Sequence, residues 1–501
     1  MIHRKFESKL KFAWLVIFLT GMSFFSYAQI TLTIEQALDI AEENNPSMIS
    51  SKLSLQRTQF LLEASYASLK PQFSMTVDPF SYSQSRSFDS RYSDWYTTKS
   101  FTTSGTFQGV MTFLPTDATL RLANTFQWQN RESQVQDGTN INKAFSNDLS
   151  LRLNQPLFTY NRTKMEIQRL EFDKENAGIS YALQRLTTER SITRQFYSVY
   201  LAKSNVEINS DELANSQTNY DIIKAKVEAQ LSAAEELSQA EVNLMNAKSS
   251  LQSSEVSLQD AKDNLKQILG MPLNEDIDVS VTIEAVPMLI DVEKAIYSGL
   301  ASRMELRQRE ISMAEADLAM ITTKAQNEFR GDLSLSIGIS GDNEQFGNIY
   351  EKPTNSPRVS VSFNVPIFDW GMKKARVNAQ KAAQTIAQLN YENEKVNIEL
   401  DIRSTVRSLE NLRSQIEIAE ITIRNAQQAY RLNEIRYREG DLAGLQMSQI
   451  QAQLSSAQIS IVRARINYKN ELLNLKILTL YDFENDKPIV PVRELQNITM
   501  R

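Results

Sequence analysis

The sequence predicts a mostly helical protein that also contains β-strands and that is built from two similar halves. Three observations support this fold class. A proline-containing motif occurs twice, apolar and small polar residues alternate in several stretches, and other stretches carry an apolar residue at every seventh position. Alternation indicates strands, and a sustained seven-residue period indicates coiled-coil helices. Each half is therefore predicted to contain helix, strand, strand, very long helix and helix, in that order.

The duplication is clearest where each strand region ends. Residues 154–158 (NQPLF) match residues 364–368 (NVPIF), 210 positions later, and residues 264–266 (NLK) recur at the same offset. The matched stretches keep one offset over the long helices, as expected where an insertion would shift the packing register of a coiled coil. The repeat therefore predicts that the two halves have the same order of helices and strands.

The alignment also predicts the domain boundaries. Upstream of the repeated motif the offset rises from 210 to 258 positions, so the first half has 48 additional residues between about Phe73 and Leu149. The predicted segments are a signal peptide at 1–28, a first repeat at 29–275 with strand region 72–155, a second repeat at 276–480 with strand region 332–366, and a C-terminal tail at 481–501.

The first 28 residues are predicted to be a signal peptide. Four basic residues precede a mostly apolar stretch at 12–25, and residues 26–28 (SYA) supply small residues where a signal peptidase cleaves. A membrane anchor is the alternative. Because polar and glycine residues interrupt the apolar stretch, it is short for a span of roughly 20 residues, and we expect export with cleavage before Gln29.

Each half begins with a predicted amphipathic helix. Thr33 and Gln36 form a capping-box pattern, and apolar residues at helical spacing continue to Leu69, before Pro71. The corresponding helix of the second half is predicted from Asp291 to about Asn327.

Alternating residues follow these helices. In the second half, residues 332–339 and 358–365 place Leu, Ile, Val or Phe at every second position, with mostly small polar residues between. This pattern suits a strand with lipid on one face and water on the other, and an ordinary half-buried hairpin is the alternative. No later stretch has the length of an apolar membrane helix, so we expect any membrane contact to be made by strands.

The long helices carry seven-residue repeats typical of coiled coils. The returning helix of the first half has Leu at 237, 244, 251, 258 and 265, and the second half has Met447, Leu454, Ile461, Tyr468 and Leu475 at the same positions. The outgoing helices extend over roughly 70 residues, or about 105 Å at 1.5 Å per residue, several times the thickness of a bilayer core. They must therefore lie in water.

The number of predicted strands requires assembly. Two strands per half give four per chain, whereas the smallest closed membrane barrels have about eight. An open sheet in lipid would leave backbone groups unpaired at both edges. Several copies are therefore predicted to share one transmembrane β-barrel, with their helices forming a long coiled-coil tunnel.

The additional residues of the first half contain two more alternating stretches, 106–114 and 119–128, joined by the turn 115–117 (PTD). They either add two strands to the wall, giving six per chain, or form a hairpin that projects outside with Pro115 at its tip. We expect the projecting hairpin, because barrel width grows about linearly with strand number.

The composition excludes most catalytic chemistry. The chain has no Cys, its single His is His3, and neither a Walker A motif nor a dinucleotide-binding glycine motif occurs. With 54 basic and 60 acidic residues it does not have the charge of a nucleic-acid-binding protein. We predict no catalytic residue, metal site, cofactor or nucleic-acid partner.

The chain resembles the TolC-like outer-membrane efflux proteins over essentially its whole mature length. The resemblance rests on the duplicated plan and on two further features. The segments 156–158 (PLF) and 366–371 (PIFDWG) resemble that family's junctions between strand and helix, and the turn 438–442 (REGDL) resembles its periplasmic helix tip. The resemblance implies a homotrimer with a 12-stranded barrel in the outer membrane and an α-helical tunnel in the periplasm. It also implies docking to a periplasmic adaptor protein and an inner-membrane pump, so that the protein is the exit duct of an efflux or type I secretion system and no enzyme.

The resemblance also implies site residues. The adaptor-docking turns would be Gln230, Leu231 and Ser232 in the first half and Gly440, Asp441 and Leu442 in the second. The strand-to-helix junctions would be Pro156, Phe158, Pro366, Phe368, Trp370 and Gly371.

Two acids just after the first tip could line the tunnel mouth. Glu235 completes a capping-box pattern with Ser232, which favours a structural role for it. Glu236 is therefore the better candidate for a pore acid. Trp370 is placed where an interfacial aromatic belt is expected, and packing of a helix start against the barrel rim is the alternative.

Another class of exported protein also has long heptad helices. A filament subunit or surface coiled-coil adhesin would share the helices, but it would not need the repeated strand-to-helix junction. A periplasmic adaptor would have one helical hairpin, which the duplication opposes.

Overall fold

The computed structural model describes residues 30–90, 93–135, 138–280, 283, 286–439 and 441–489. The predicted signal peptide, Gly440 and most of the predicted C-terminal tail lie outside these residues. Of the described residues, one compact unit contains 30–50, 183–302 and 398–489, and a second contains 51–182 and 303–397. None of the described helices combines the length and the apolar character needed to cross a membrane.

The first unit has a helical core around a short parallel sheet. Strand β1 (Ile30–Leu32) pairs with β6 (Ile277–Val279), and helices α1 (Ile34–Asn44), α4 (Ala234–Leu269), α5 (Val292–Ser302) and α8 (Gly444–Thr479) belong to this unit. Leu32, Phe196, Leu265 and Ile277 are at most 2% exposed. A small hairpin follows α8, in which the two-residue strands β10 (Tyr481–Asp482) and β11 (Lys487–Pro488) pair with each other.

The predicted seven-residue seams are buried in this unit. Leu244, Ala247 and Leu265 are buried along α4, and Met447, Ile461, Tyr468 and Leu475 are buried along α8. Small residues at every second core position let the helices approach closely. Leu237, Leu251, Leu258 and Leu454 of the same seams are half-buried, so the burial agrees in part with the predicted seven-residue spacing.

The second unit contains the large antiparallel sheet. Its strands are β2 (Gln72–Asp89), β3 (Asp94–Phe113), β4 (Ala118–Val135), β5 (Gly138–Leu157), β7 (Arg330–Asn343), β8 (Thr354–Asn355) and β9 (Arg358–Asn364). They pair in the order β2-β3-β4-β5-β7, and β8 and β9 both pair with β7. Since β8 and β9 continue one another along the same neighbour, the sheet is six strands wide. A short 3₁₀ helix, Phe346–Asn348, lies between β7 and β8.

Two very long helices contribute residues to both units. Helix α3 (Arg162–Glu228) has 67 residues and α7 (Met372–Glu439) has 68. The second unit also contains α2 (Pro46–Ser68), apart from its first turns, and α6 (Met304–Ala325).

The helices at the start of each half are shorter than predicted. The Thr33 capping box is confirmed, since the Gln36 amide donates to Thr33 Oγ1 and the Thr33 amide to Gln36 Oε1. However, the first helix is divided at Asn45 because Pro46 disfavours helical backbone in the residue before it. The second is divided at Arg303, which has extended backbone at the start of α6.

Candidate functional site

The large sheet has one apolar face. Gly109, Leu122, Leu151 and Ile337 form one transverse row through β3, β4, β5 and β7. Phe73 of β2 lies in the same row, opposite Gly109. Other rows of this face include Phe107, Leu120, Leu149, Leu335, Val359 and Phe363. Many of them are well exposed, with Ile337 at 60% and Val359 at 72%. A continuous exposed apolar surface of this kind marks a membrane or protein contact.

The opposite face is polar. The residues that alternate with the apolar ones are mostly Ser, Thr, Asn, Gln and Arg, as in the row Thr106, Thr125, Asp148 and Ser340. Thr106 and Thr125 Oγ1 atoms lie 3.1 Å apart and share a hydrogen bond. One apolar and one polar face over all six strands is typical of a membrane β-sheet with water on the other side.

The expectation of a projecting hairpin is wrong. The two additional strands, β3 and β4, pair with each other and with β2 and β5 along almost their whole length. Their connecting turn also lies at the helix end of the sheet. There Asp117 accepts hydrogen bonds from the Arg162 and Thr163 amides, at 3.2 and 3.3 Å, and from the Thr163 hydroxyl. The turn thus caps the N-terminus of α3, where backbone amides lack helical partners.

Aromatic rings lie at both ends of the apolar face. At one end Phe101 contacts Phe80 and Trp128, with ring centroids 5.0 and 5.7 Å apart. At the helix end Phe329 contacts Phe158 and Phe363 at 5.4 and 5.5 Å. Trp128 lies opposite Phe145 of β5, and Phe363 lies in the row of Leu157, twelve positions further along β5, which corresponds to about 30 Å of height for a tilted strand. Two aromatic rows at this separation match the girdles of a membrane barrel.

The predicted junction residues occupy the helix end. Pro156 lies in β5 opposite Asp332, and Phe158, Trp370 and Gly371 have positive φ angles of 58°, 55° and 83°. Phe368 and Trp370 pack together with ring centroids 4.7 Å apart, yet Trp370 is 89% exposed. Within one chain, therefore, Trp370 is not packed against the rim of the sheet.

Asp369 organises the second junction. Its carboxylate accepts the Gly371 and Lys373 amides at 2.9 and 3.0 Å and the Asn327 side-chain amide at 3.3 Å. These bonds, first that from Lys373, hold the pKa of Asp369 below its ordinary value. Asp369 therefore caps α7 as Asp117 caps α3. Sequence reasoning missed both residues, although Asp before a helix start is a recognisable signal at position 369.

The two helix tips share one hydrogen bond just beyond the helix end. In the first, Gln230 has φ 59°, and the Leu231 amide donates to the Lys226 carbonyl at 2.8 Å. The Asp441 amide donates to the Arg436 carbonyl at 2.9 Å, which is the same bond 210 positions later. Such bonds from beyond the helix end satisfy carbonyls of the last turn. Leu231 is 79% exposed and Asp441 is also exposed, whereas Leu442 is half-buried.

The tips pack against each other through residues that sequence reasoning missed. The Tyr437 hydroxyl donates to Asn219 Oδ1, and Lys226 Nζ lies 5.5 Å from the Tyr437 ring centroid. A Cβ on Gly444 would come within 3.0 Å of Ile223 Cδ1, so glycine permits this close approach. Burial, and secondly the Glu236 carboxylate, raise the pKa of Tyr437. No sequence signal singles out this contact, since Tyr437 follows the ordinary helical spacing of apolar residues.

The hydrogen bonds of Glu235 and Glu236, near the first tip, differ from those predicted. Helix α4 begins at Ala234 after Ala233, which provides no side-chain cap, so the capping-box role of Glu235 is wrong. Ser232 Oγ instead bonds Glu236 Oε2. Glu235 does not form this bond to Ser232. The side chains of Glu235 and Glu236 are both exposed. Among the described residues, no group of acidic or other ligating side chains could hold a metal ion.

An exposed apolar sheet face bounded by aromatic rows is typical of a protein that contacts a membrane through its strands. The model of the family described as outer membrane efflux protein matches residues 119–271 and 295–479. The chain belongs to this family.

Curated relatives include efflux components. The chain is 21% identical over 290 residues to the probable efflux pump outer membrane protein TtgC of Pseudomonas putida, covering 57% of this chain and 58% of the relative. It is 19% identical over 296 residues to the cation efflux system protein CusC of Escherichia coli O157:H7, covering 58% and 62%. The match thus spans about three fifths of the length of these relatives.

Solved structures agree in fold over nearly the whole chain. The CmeC outer membrane channel of Campylobacter jejuni has a TM-score of 0.68 at 13% identity, covering 93% of this chain and 89% of that one. The open MtrE outer membrane channel of Neisseria gonorrhoeae has a TM-score of 0.65 at 15% identity, covering 91% and 90%.

Proposed function

We propose that this protein is the outer-membrane exit duct of an efflux or type I secretion system. It would conduct substrates passively from an inner-membrane pump and a periplasmic adaptor to the outside. The observation that carries the proposal is the sheet with one exposed apolar face and one polar face, bounded by aromatic rows. Membership of the outer membrane efflux protein family supports it, as do relatives named for efflux.

The channel would be a homotrimer made of the two repeats, 29–275 and 276–480. Within one chain the sheet ends at β2 and β9, whose outer edges have no neighbouring strand among the described residues. Unpaired backbone groups in lipid cost several kcal/mol each. Pairing β2 of one copy with β9 of the next would satisfy both edges and close a barrel, while the helices would form the tunnel.

The barrel would have 18 strands, because each chain contributes six. The 12-stranded barrel implied by resemblance assumes four strands per chain, whereas β3 and β4 here have the same apolar and polar faces as their neighbours. Barrel diameter rises about linearly with strand number. The wall would therefore be about one and a half times as wide as that of a 12-stranded barrel.

Cysteine labelling can test this wall, since the native chain has no Cys. We expect Asp117→Cys to resist a membrane-impermeant maleimide in intact cells, because the turn lies at the helix end of the sheet. Ser93→Cys, in the turn at the opposite end of β2 and β3, is the matched control and should react. Labelling of both positions in intact cells would contradict the six-stranded wall.

The two tips would dock the adaptor. The docking turns would be Gln230, Leu231 and Ser232 and, in the second half, Gly440, Asp441 and Leu442. The exposed Leu231 offers an apolar contact. Glu235 and Glu236 would lie near the tunnel mouth. We expect Leu231→Asp to reduce crosslinking to the adaptor without reducing trimer yield, whereas Val256→Asp, an exposed position away from the tip, should change neither.

Efflux itself is tested by deletion and complementation. A strain lacking the gene should accumulate more of an exported dye, and the wild-type gene should reverse this. Inserting one alanine between Leu251 and Leu258 should prevent rescue, because it rotates the buried seam by about 100°. The same insertion between Ser93 and Asp94 should rescue. Recovery of the native protein in the soluble periplasm or in shed filaments would favour a coiled-coil structural protein instead.

A further inference from the structure

Three arginines form a row across the polar face of the sheet. Arg121 of β4 lies directly opposite Arg152 of β5, Arg152 lies opposite Ser336 of β7, and Ser336 lies opposite Arg358 of β9. All three arginines are exposed and project from the face opposite Leu122, Leu151 and Ile337. We call Arg121, Arg152 and Arg358 the arginine row.

The row has no local charge compensation. Within the part of the chain that the structure describes, none of the three guanidinium groups forms an ion pair. The adjacent rows on this face contain Thr119, Asn154, Ser334 and Ser360 on one side and Ala123, Ser150 and Gly338 on the other. The nearest acids on the same strands and face, Asp148 and Asp332, lie four positions away, or about 13 Å along a strand.

This arrangement is unfavourable for the fold. Neighbouring strands are about 4.8 Å apart, and like charges directly opposite each other destabilise a sheet. Arg121 and Arg152 are such a pair. Neutral residues occupy both flanking rows. Neutral polar residues in place of the arginines would therefore remove the repulsion and keep this face of the sheet polar. A function in binding anions accounts for the cost.

We propose that the arginine row is an anion-selective ring in the channel lumen, which makes organic anions the favoured cargo. The inference rests on the proposed channel function, in which the polar face lines the lumen. Three copies would place nine arginines at one level, close to the end of the sheet where the strands join the helices. Rings of Arg or Lys select anions in pores, and guanidinium binds carboxylate, sulfate and phosphate groups by paired hydrogen bonds.

Conductance provides the first test. Purified protein in planar lipid bilayers under a KCl gradient should show a reversal potential that indicates preference for chloride. The triple variant R121Q/R152Q/R358Q should lose this preference. Arg131→Gln is the matched control, because Arg131 lies on the same face of β4, ten positions further along the strand, and it should keep the wild-type value. Cation preference in the wild type, or an unchanged reversal potential in the triple variant, would overturn the proposal.

A local probe separates this proposal from the channel function. Ser336→Cys introduces the only thiol of the chain, between Arg152 and Arg358 in the row. We expect an anionic methanethiosulfonate reagent to react faster than a cationic one, with the ratio of rates falling about tenfold when the three arginines are replaced by Gln. An unchanged ratio would refute the arginine row, whatever the conductance. Absence of conductance in wild-type bilayers would instead count against the proposed channel.

Discussion

The helical core of the first unit and the sheet of the second use the same apolar residue types in opposite ways. Leu265 and Leu475 are 0% exposed between helices, whereas Ile337 and Val359 of the sheet are 60% and 72% exposed. Burial of apolar surface is favourable only where the alternative is water. The difference indicates that the apolar residues of the helices are buried away from water, whereas the apolar residues of the sheet face lipid.

The strongest test of this comparison is a cavity in the helical core. Leu475→Ala should lower the free energy of unfolding by about 2–5 kcal/mol, because it removes a fully buried side chain from a packed interior. Leu432→Ala is the matched control, since Leu432 is 57% exposed on α7 and should change stability little. Chemical denaturation of the purified protein, followed by circular dichroism, measures both. Equal losses in the two variants would contradict the burial difference.

A charge on the apolar sheet face should also be costly, but only in the membrane. Ile337→Arg should cost about 2–4 kcal/mol if the residue lies near the bilayer midplane, and less near the interfaces. We expect less protein to assemble in the outer membrane, as measured by sucrose-gradient fractionation. Thr125→Arg, on the polar face, should assemble normally. If Thr125→Arg fails and Ile337→Arg assembles, the two faces have been assigned the wrong way round.

Removing one of the two caps of α3 should have a smaller effect, since Asn161 Oδ1 still accepts the Lys164 amide at 2.7 Å. Asp117→Ala removes the hydrogen bonds to Arg162 and Thr163, and loss of an N-cap acceptor costs about 1 kcal/mol. Asp117→Asn should recover most of the loss, since an amide oxygen can also accept. The measurement is the midpoint of thermal unfolding in detergent. Equal destabilisation by both variants would show that charge, not acceptor geometry, is what matters there.

The smallest expected effect is the pH dependence of the second junction. The pKa of Asp369 is lower in the folded protein than its ordinary value of 3.8. Its ionised form therefore contributes stability above that ordinary value, and the contribution is lost as pH falls through the lowered pKa. The stability difference between wild type and Asp369→Asn should be constant near neutral pH and shrink below pH 3.8. A difference that grows on acidification would contradict this sign.

The predictions from sequence succeeded where a short-range pattern decides the structure. The seams through Leu244 and Met447 are buried as their spacing indicates, and the bonds of the Thr33 capping box are present. They failed where two local patterns compete. Apolar spacing alone predicts a helix across Pro46, which disrupts it, and the capping-box pattern pairs Ser232 with Glu235, whereas Ser232 contacts Glu236, one residue further.

Periodicity in the sequence determined that strands and long helices are present and which face of each is apolar, because backbone geometry alone sets periods of two and of about 3.6 residues. It did not determine their ends, since β3 and β4 extend well beyond the alternating stretches 106–114 and 119–128. Strand neighbours depend on register between distant segments, which the tertiary structure alone decides. The position of β3 and β4 inside the sheet, the contact of Asp117 with the start of α3, and the alignment of Arg121, Arg152 and Arg358 in one row all follow from that register. A shift of one residue between strands would move each side chain to the other face, so no local pattern could have placed the three arginines together.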